Sequence, residues 1–165
     1  MNFRTLYADE IELRVNQINE KGLTLLLYKD ARCDMNILDE TAGPMNWTRT
    51  HVRDNANCIV SIWDEKKSQW ISKEDTGTES NTEKEKGLAS DSFKRACVNW
   101  GIGRELYTAP FIYIPADKCK IFSKGSKFAT FDKFVVEAIK YNEKREISAL
   151  SIKNNRGERV YVWQK

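Results

Sequence analysis

The chain has 165 residues, a mass of 19.2 kDa and a formal net charge of +3. This length is enough for one domain with a hydrophobic core, and 41% hydrophobic with 31% charged residues excludes a disordered chain. The apolar runs are far shorter than the roughly 20 residues of a membrane helix, and no signal peptide is recognisable, so we expect a cytoplasmic protein. The four cysteines show no CxxC spacing and accompany a single histidine. They predict buried reduced thiols, with no metal and no cofactor.

The first two predicted strands form a hairpin. The runs "IELRVNQI" and "LTLLLY", within residues 11–28, are strand-like, and the intervening "NEKG" ends in a glycine that favours a turn. A short helix follows, with Asp30 as its N-cap and Gly43 as its stop. Four residues at helical spacing are expected to form its buried face: Ala31, Met35, Leu38 and Ala42.

Residues 45–73 predict a meander of three antiparallel strands. The segments "MNWTRTHV", "NCIVSIW" and "QWIS" are rich in β-branched and aromatic side chains, and the connections between them are short. Alternate residues of a strand share one face. The predicted shared faces are Trp47, Arg49 and His51 in the first strand and Cys58, Val60 and Ile62 in the second.

The longest predicted helix runs from about residue 83 to residue 100. Thr82 and Glu85 have the spacing of a capping box, and Gly101 with Gly103 ends the helix. Its buried stripe is expected to consist of Ala89, Phe93, Ala96 and Trp100.

The end of the chain predicts three strands, "KFVVEAIKY", "EISALSIK" and "RVYVW", with a helix over residues 130–144 as the alternative for the first of them. Strands grouped ahead of one long helix indicate the α+β class. We therefore predict an antiparallel β-meander packed by a long helix, with a β-rich C-terminal extension.

Two adjacent cations, Lys94 and Arg95, lie in the middle of the long helix. Successive helical residues are about 100° apart, so the two side chains are predicted to be exposed and to diverge from each other. Asp91 is three and four residues earlier, which allows ion pairs on the helix surface. A solvated helix face and a ligand-binding site are both compatible with this pattern.

The segment "SDSFKRACVNWGIGRELY" resembles the signature helix of the Rad-fifty-two type single-strand annealing proteins, in particular the short versions carried by bacteriophages and prophages. The residues that carry the resemblance are Phe93, Lys94, Arg95, Ala96, Trp100 and Gly101. The earlier segment "LLYKDARCDMNILDETAGPMNW" is also similar to that family, through Tyr28, Glu40, Gly43 and Trp47. The resemblance covers roughly residues 10 to 110.

The resemblance implies a β-β-β-α core, assembly into rings or helical filaments, and single-stranded DNA held in a basic groove. It implies annealing of complementary strands without ATP, in recombination or repair, and no enzymatic activity. Residues 1–115 would form the annealing domain and residues 116–165 the extension. A single-strand binding protein or an exonuclease would be a further partner, and the nucleoid of a bacterial host cell would be the location.

The family's DNA-backbone ligands correspond here to Lys94 and Arg95, and Arg32 near the start of the short helix is the candidate for a further basic contact. A basic position of the family one turn beyond the pair is Val98 in this chain, a departure for which Arg104 could substitute. Lys86 is a further candidate phosphate contact, although a solvated helix face also explains it.

Two other functions remain open from the sequence. Asp54, Glu65 and Lys67 have the residue types of a metal-dependent nuclease, and a meander packed by a helix also suits a double-stranded nucleic-acid binding module. A structural subunit without nucleic acid is a third possibility. The strand tryptophans are expected to be core or interface residues rather than stacking platforms for bases: Trp47, Trp63 and Trp70.

Overall fold

The computed structural model describes residues 1–78 and 84–165, except for the side chains of residues 84–86. The described part is a mixed α and β fold whose paired strands are all antiparallel, which confirms the predicted class. None of its helices is long and apolar enough to cross a membrane. The helices are α1 (Ala31–Ala42) and α2 (Lys84–Asn99), with short 3-10 helices at Ala8–Glu10 and Arg104–Thr108. The strands are β1 (Glu12–Asn19), β2 (Gly22–Tyr28), β3 (Trp47–Val52), β4 (Asn57–Asp64), β5 (Gln69–Thr76), β6 (Ile112–Pro115), β7 (Phe122–Lys124), β8 (Lys127–Ala129), β9 (Phe134–Tyr141), β10 (Ile147–Asn154) and β11 (Arg159–Gln164).

The chain divides into two compact units, and neither is continuous in sequence. The first unit consists of Met1–Arg4 and Asp30–Arg104, and the second of Thr5–Lys29 and Glu105–Lys165. The division into an annealing domain of residues 1–115 and a β-rich extension of residues 116–165 stays a prediction.

The first unit contains the predicted meander, a three-stranded sheet in the order β3-β4-β5. Its register places Arg49 and Lys73 on either side of Val60, so these side chains share one face. Helix α2 packs on β4 and β5. The buried residues between the sheet and the helix include Cys58, Val60, Ile62, Phe93, Ala96 and Cys97.

Helix α1 begins and ends where the sequence predicts. The Asp30 carboxylate accepts the Arg32 backbone N–H, and Gly43 has a φ of 87° at the other end. The predicted buried face is right only for Leu38, because the residues that pack inward are Cys33, Asp34, Ile37 and Leu38. Burying Ile37 beside Leu38 removes more apolar surface from water than burying a terminal alanine.

Helix α2 buries Phe93 and Ala96 completely, as its apolar spacing predicts, whereas Ala89 and Trp100 of the predicted stripe are half-buried. The chain leaves the helix through Gly101 and Gly103, whose φ values are 95° and 69°. Both lie in the left-handed region, which glycine enters without the steric cost of a Cβ. The predicted capping box of Thr82 and Glu85 lies outside the described residues.

The second unit is built on a six-stranded sheet in the order β11-β10-β9-β1-β2-β6. The three predicted C-terminal strands are present, and the alternative helix over residues 130–144 is wrong because Phe134 and Val136 alternate with exposed residues. The sheet curves until its edge strands approach, and the Tyr161 hydroxyl donates to the Phe111 carbonyl at 3.2 Å.

The C-terminal strands share one sheet with the N-terminal hairpin. Strand β9 pairs with β1, and β6 pairs with β2 over residues 22–25. The N-terminal hairpin therefore belongs to the sheet of the tail and not to the meander that follows it in sequence. Pairing between distant segments, which no local pattern encodes, produces this arrangement. A separate two-stranded hairpin, β7–β8, lies between β6 and β9 in the chain.

Candidate nucleic-acid interface

Arg95 is anchored on the surface of α2 by an acidic neighbour one turn earlier. Its Nε lies 3.0 Å from Oδ2 of Asp91, and 42% of the Arg95 side chain is exposed. The same carboxylate accepts the Thr78 backbone N–H at 2.8 Å and the Thr78 hydroxyl at 3.2 Å. Partial burial raises the pKa of Asp91, but the Thr78 N–H and the Arg95 guanidinium outweigh it and hold the pKa below its ordinary value. The ion pair is therefore fully charged at neutral pH.

Arg32 and Lys94 come from different helices and both interact with the Asp30 carboxylate, Arg32 by a direct ion pair and Lys94 by charge attraction at longer range. Arg32 Nη2 lies 2.7 Å from Asp30 Oδ2, with 83% of the Arg32 side chain exposed. Hydrogen bonds from Arg32 lower the pKa of Asp30, and Lys94 is close enough to lower it further by charge attraction. The packing of α1 against α2 thus brings together two cations that the sequence analysis selected separately.

Arg104 lies at the C-terminal end of α2. Its guanidinium donates to the Val98 carbonyl at 2.9 Å and 3.2 Å and to the Asn99 carbonyl at 3.2 Å. These carbonyls have no partner within the helix, and a cation beside them also interacts favourably with the helix dipole. Arg104 therefore has a structural role in this unit. Its predicted role in DNA binding stays a prediction, and the Lys86 side chain lies outside the described residues.

Two cations that sequence reasoning missed also lie against α2. The Lys73 ammonium donates to the Asn99 carbonyl at 2.8 Å and lies 4.6 Å from the centre of the Trp100 ring. The Arg49 guanidinium lies 4.8 Å from the centre of the Phe93 ring. Strand alternation places both side chains on the helix-facing side of the sheet. This alternation can be read from the sequence and could have identified both cations as neighbours of the helix aromatics.

Arg32, Lys94 and Arg95, which we call the basic cluster, can hold a phosphate group. The carboxylates of Asp30 and Asp91 accompany the three cations. Each guanidinium has five N–H donors in a fixed plane. The carboxylates therefore orient the arginines, and a phosphate would compete with them for the guanidinium donors.

The strand tryptophans have two different environments. Trp47 is half-buried, its Nε1 donates to Asp39 at 2.6 Å and its ring stacks 6.2 Å from that of Phe93. Trp63 and Trp70 contact each other edge to face, 5.6 Å apart, and Trp70 is 45% exposed. The pair lies on the sheet face away from α2.

The candidate nuclease residues do not come together. Asp54 lies in the turn before β4, and Glu65 and Lys67 lie in the turn after it. The eight-residue strand separates the two turns by about 25 Å at the usual rise per residue. Among the side chains of residues 1–78 and 87–165, no group of three or more His, Cys, Asp or Glu could hold a metal ion.

A comparison with protein-family models, with curated proteins and with solved structures finds no match to this chain. The resemblance to single-strand annealing proteins therefore rests on the sequence segments that carry it.

Proposed function

We propose that the protein binds single-stranded DNA along its sugar-phosphate backbone and anneals complementary strands without ATP. The observation that supports this most is the convergence of Arg32 from α1 and Lys94 from α2 around Asp30. Arg95, the next residue of α2, is oriented by Asp91. In this proposal β3, β4, β5 and α2 act as the β-β-β-α core of the annealing domain.

The chemistry of the basic cluster suits annealing. An annealing protein must hold the backbone and leave the base edges free to find a partner, and positive charges directed at phosphates do this without reading the sequence. A single cluster whose arginines are already paired with carboxylates gives weak binding. Assembly of identical chains into a ring or filament would repeat the cluster along the strand and add its salt-sensitive contacts together. The location that follows is the bacterial nucleoid.

The direct test replaces both residues of the signature pair in the full chain. For Lys94→Ala with Arg95→Ala we expect weaker binding to a labelled oligothymidylate and slower annealing of complementary oligonucleotides. The loss of two phosphate contacts makes the slope of log affinity against log salt less negative by about 1.4. The matched control is Lys66→Ala with Lys67→Ala, an adjacent exposed pair in the same unit.

Light scattering checks that the oligomer has the same size in both double variants and in the unmodified protein. Equal binding and annealing by the two double variants would contradict the assignment of the site. A preference for duplex over single-stranded oligonucleotides would favour the double-stranded binding module, and Mg²⁺-dependent degradation of the probe would favour the nuclease.

A further inference from the structure

The positive charge of the chain is concentrated outside the basic cluster. Residues 117–133, which we call the basic hairpin, include β7 and β8 and hold five lysines and two aspartates. Their net charge of +3 equals that of the whole chain, so the charges of all other residues sum to zero. The five lysines are exposed: Lys118, Lys120, Lys124, Lys127 and Lys133.

One of the two aspartates does not offset these lysines at the surface. Asp132 is 5% exposed in its side chain and pairs with Arg156, which lies in the turn between β10 and β11. Its carboxylate also accepts the Lys120 backbone N–H at 2.8 Å, and the Lys133 N–H donates to Asn155 at 3.2 Å. These contacts fix the base of the basic hairpin to the sheet of the second unit. The lysines therefore belong to a hairpin whose base is held in place by these contacts.

Two lysines face each other at the tip of the basic hairpin. Lys124 pairs directly with Lys127 across a two-residue turn that begins at Gly125, whose φ is 63°. Like charges directly opposite in a strand pair repel each other and destabilise the pair. An anion placed between them would relieve this repulsion, so the tip has an electrostatic preference for a bound phosphate.

An exposed aromatic ring accompanies the charges. Phe131 is 82% exposed and stacks on Phe122 with ring centres 4.6 Å apart and planes inclined by 28°. Phe122 covers one face of Phe131 and leaves the other to solvent. A free aromatic face beside a row of lysines is the combination with which proteins bind single strands, since each base can stack while its phosphate is neutralised.

We propose that the basic hairpin is a second single-stranded nucleic-acid contact, in which Lys124 and Lys127 bind phosphates and Phe131 stacks on a base. The choice of nucleic acid as the polyanion rests on the proposed function. An anionic membrane fits less well, because the tip residues Lys124–Lys127 are polar and the exposed ring lies at the base, whereas insertion needs apolar residues at the tip.

The test uses the full chain and a labelled oligothymidylate, with binding measured from about 50 to 200 mM salt. For Lys124→Gln with Lys127→Gln we expect the slope of log affinity against log salt to become less negative by about 1.4. The control, Lys140→Gln with Lys144→Gln, changes two exposed lysines elsewhere in the unit and should leave the slope unchanged. Phe131→Ala is expected to weaken binding about fivefold or more. Phe111→Ala, which removes another phenylalanine that is 78% exposed, is its control.

The outcomes separate this proposal from the proposed function. Hairpin variants that bind like the unmodified protein, while Lys94→Ala with Arg95→Ala binds weakly, would overturn the hairpin contact alone. The reverse result would support the hairpin and overturn the basic cluster. An unmodified protein that binds phosphatidylserine vesicles and no oligothymidylate would overturn both nucleic-acid proposals. Urea midpoints no lower than that of the unmodified protein verify that each variant is folded.

Discussion

At the scale of single residues, the ion pair between Arg95 and Asp91 is compatible with two interpretations of Arg95, a solvated helix face and a DNA-binding site. Its contact with Asp91 is the helix-surface pair that the spacing allows, and such exposed pairs contribute only about 0.3–0.5 kcal/mol. A phosphate can therefore displace the carboxylate at a small cost. If Arg95 binds DNA, Asp91 competes with the ligand as well as orienting the side chain.

Asp91→Asn distinguishes these interpretations. The asparagine oxygen can still accept the Thr78 N–H, but the charged competitor is lost, so we expect single-strand affinity to rise about twofold at low salt. The gain should disappear when Arg95→Ala is also present, as in a double-mutant cycle. Fluorescence anisotropy measures both effects, and Glu65→Gln controls for the general loss of a negative charge. A gain that persists without Arg95 would exclude direct competition.

Glu137 is the residue for which the structure predicts a pH dependence. Arg159 contacts both of its carboxylate oxygens, at 2.6 Å and 2.7 Å, and Lys153 contacts one at 2.8 Å. These partners, Arg159 first, lower the pKa of Glu137 from 4.5 to about 2. A carboxyl group with a lowered pKa stabilises the folded state above its ordinary pKa and loses this contribution as the pH falls through the lower value.

We therefore expect the unmodified protein to be more stable than Glu137→Gln at neutral pH and down to about pH 5. The difference should shrink as the pH falls from 4.5 toward 2, because Glu137 then becomes protonated. Urea midpoints of both proteins across this range give the difference directly. A difference that does not change with pH would show that the ion pairs do not stabilise the fold.

At the scale of elements, the contact between the end of β5 and α2 depends on a close approach. Gly77 donates its N–H to the Ala56 carbonyl at 2.8 Å and lies against the backbone of Ser92. A Cβ at residue 77 would lie 2.5 Å from Ser92 N and 2.9 Å from Ser92 Cα. Backbone atoms of a packed helix cannot move aside like the end of a flexible side chain, so this position requires glycine.

Gly77→Ala is expected to destabilise the protein by about 1–3 kcal/mol, the usual cost of overpacking. The strand end must move away from α2, and the Thr78 contact to Asp91 moves with it. Urea unfolding measures the loss, and Thr48→Ala on the open face of the same sheet is the control, with a smaller effect. A neutral Gly77→Ala would mean that the helix and strand do not approach this closely.

At the scale of the whole molecule, each compact unit is assembled from two separate stretches of the chain. The second unit takes Leu23 and Leu25 of its buried residues from the N-terminal hairpin and six more apolar ones from the end of the chain. Those C-terminal residues are Phe134, Val136, Ile147, Leu150, Ile152 and Val160. A cut in the chain between the two groups divides a hydrophobic core.

Truncation after residue 115 tests this organisation. The fragment retains β1, β2 and β6 but loses β9, β10 and β11, so the apolar face of the hairpin loses its cover. We expect the hairpin amides to lose their protection from hydrogen exchange, and the fragment to unfold with a smaller m-value per residue than the full chain. A fragment with a fully protected hairpin would show that residues 1–115 form an independent domain.

The amino-acid sequence by itself determined the two helices and eight of the strands, but not β6, β7 and β8. Strand alternation, the Asp30 cap and the glycines at 43, 101 and 103 act through the backbone of a few neighbouring residues, so they can be recognised locally. The sequence also singled out Arg32, Lys94 and Arg95, and the structure brings Arg32 and Lys94 together around Asp30.

The tertiary structure alone decided which sheet each strand joins, which face of α1 is buried and which partners hold the cations. Strand β1 of the N-terminal hairpin pairs with β9, which lies more than a hundred residues later in the chain. The Arg104 guanidinium donates to a carbonyl at the end of α2. Asp132 is buried in its ion pair with Arg156, so its carboxylate is not at the surface to offset the lysines of the basic hairpin. Strand pairing, the buried helix face and the partners of the cations depend on the total apolar surface buried and on charges brought together by folding. Neither can be predicted from a short segment of sequence.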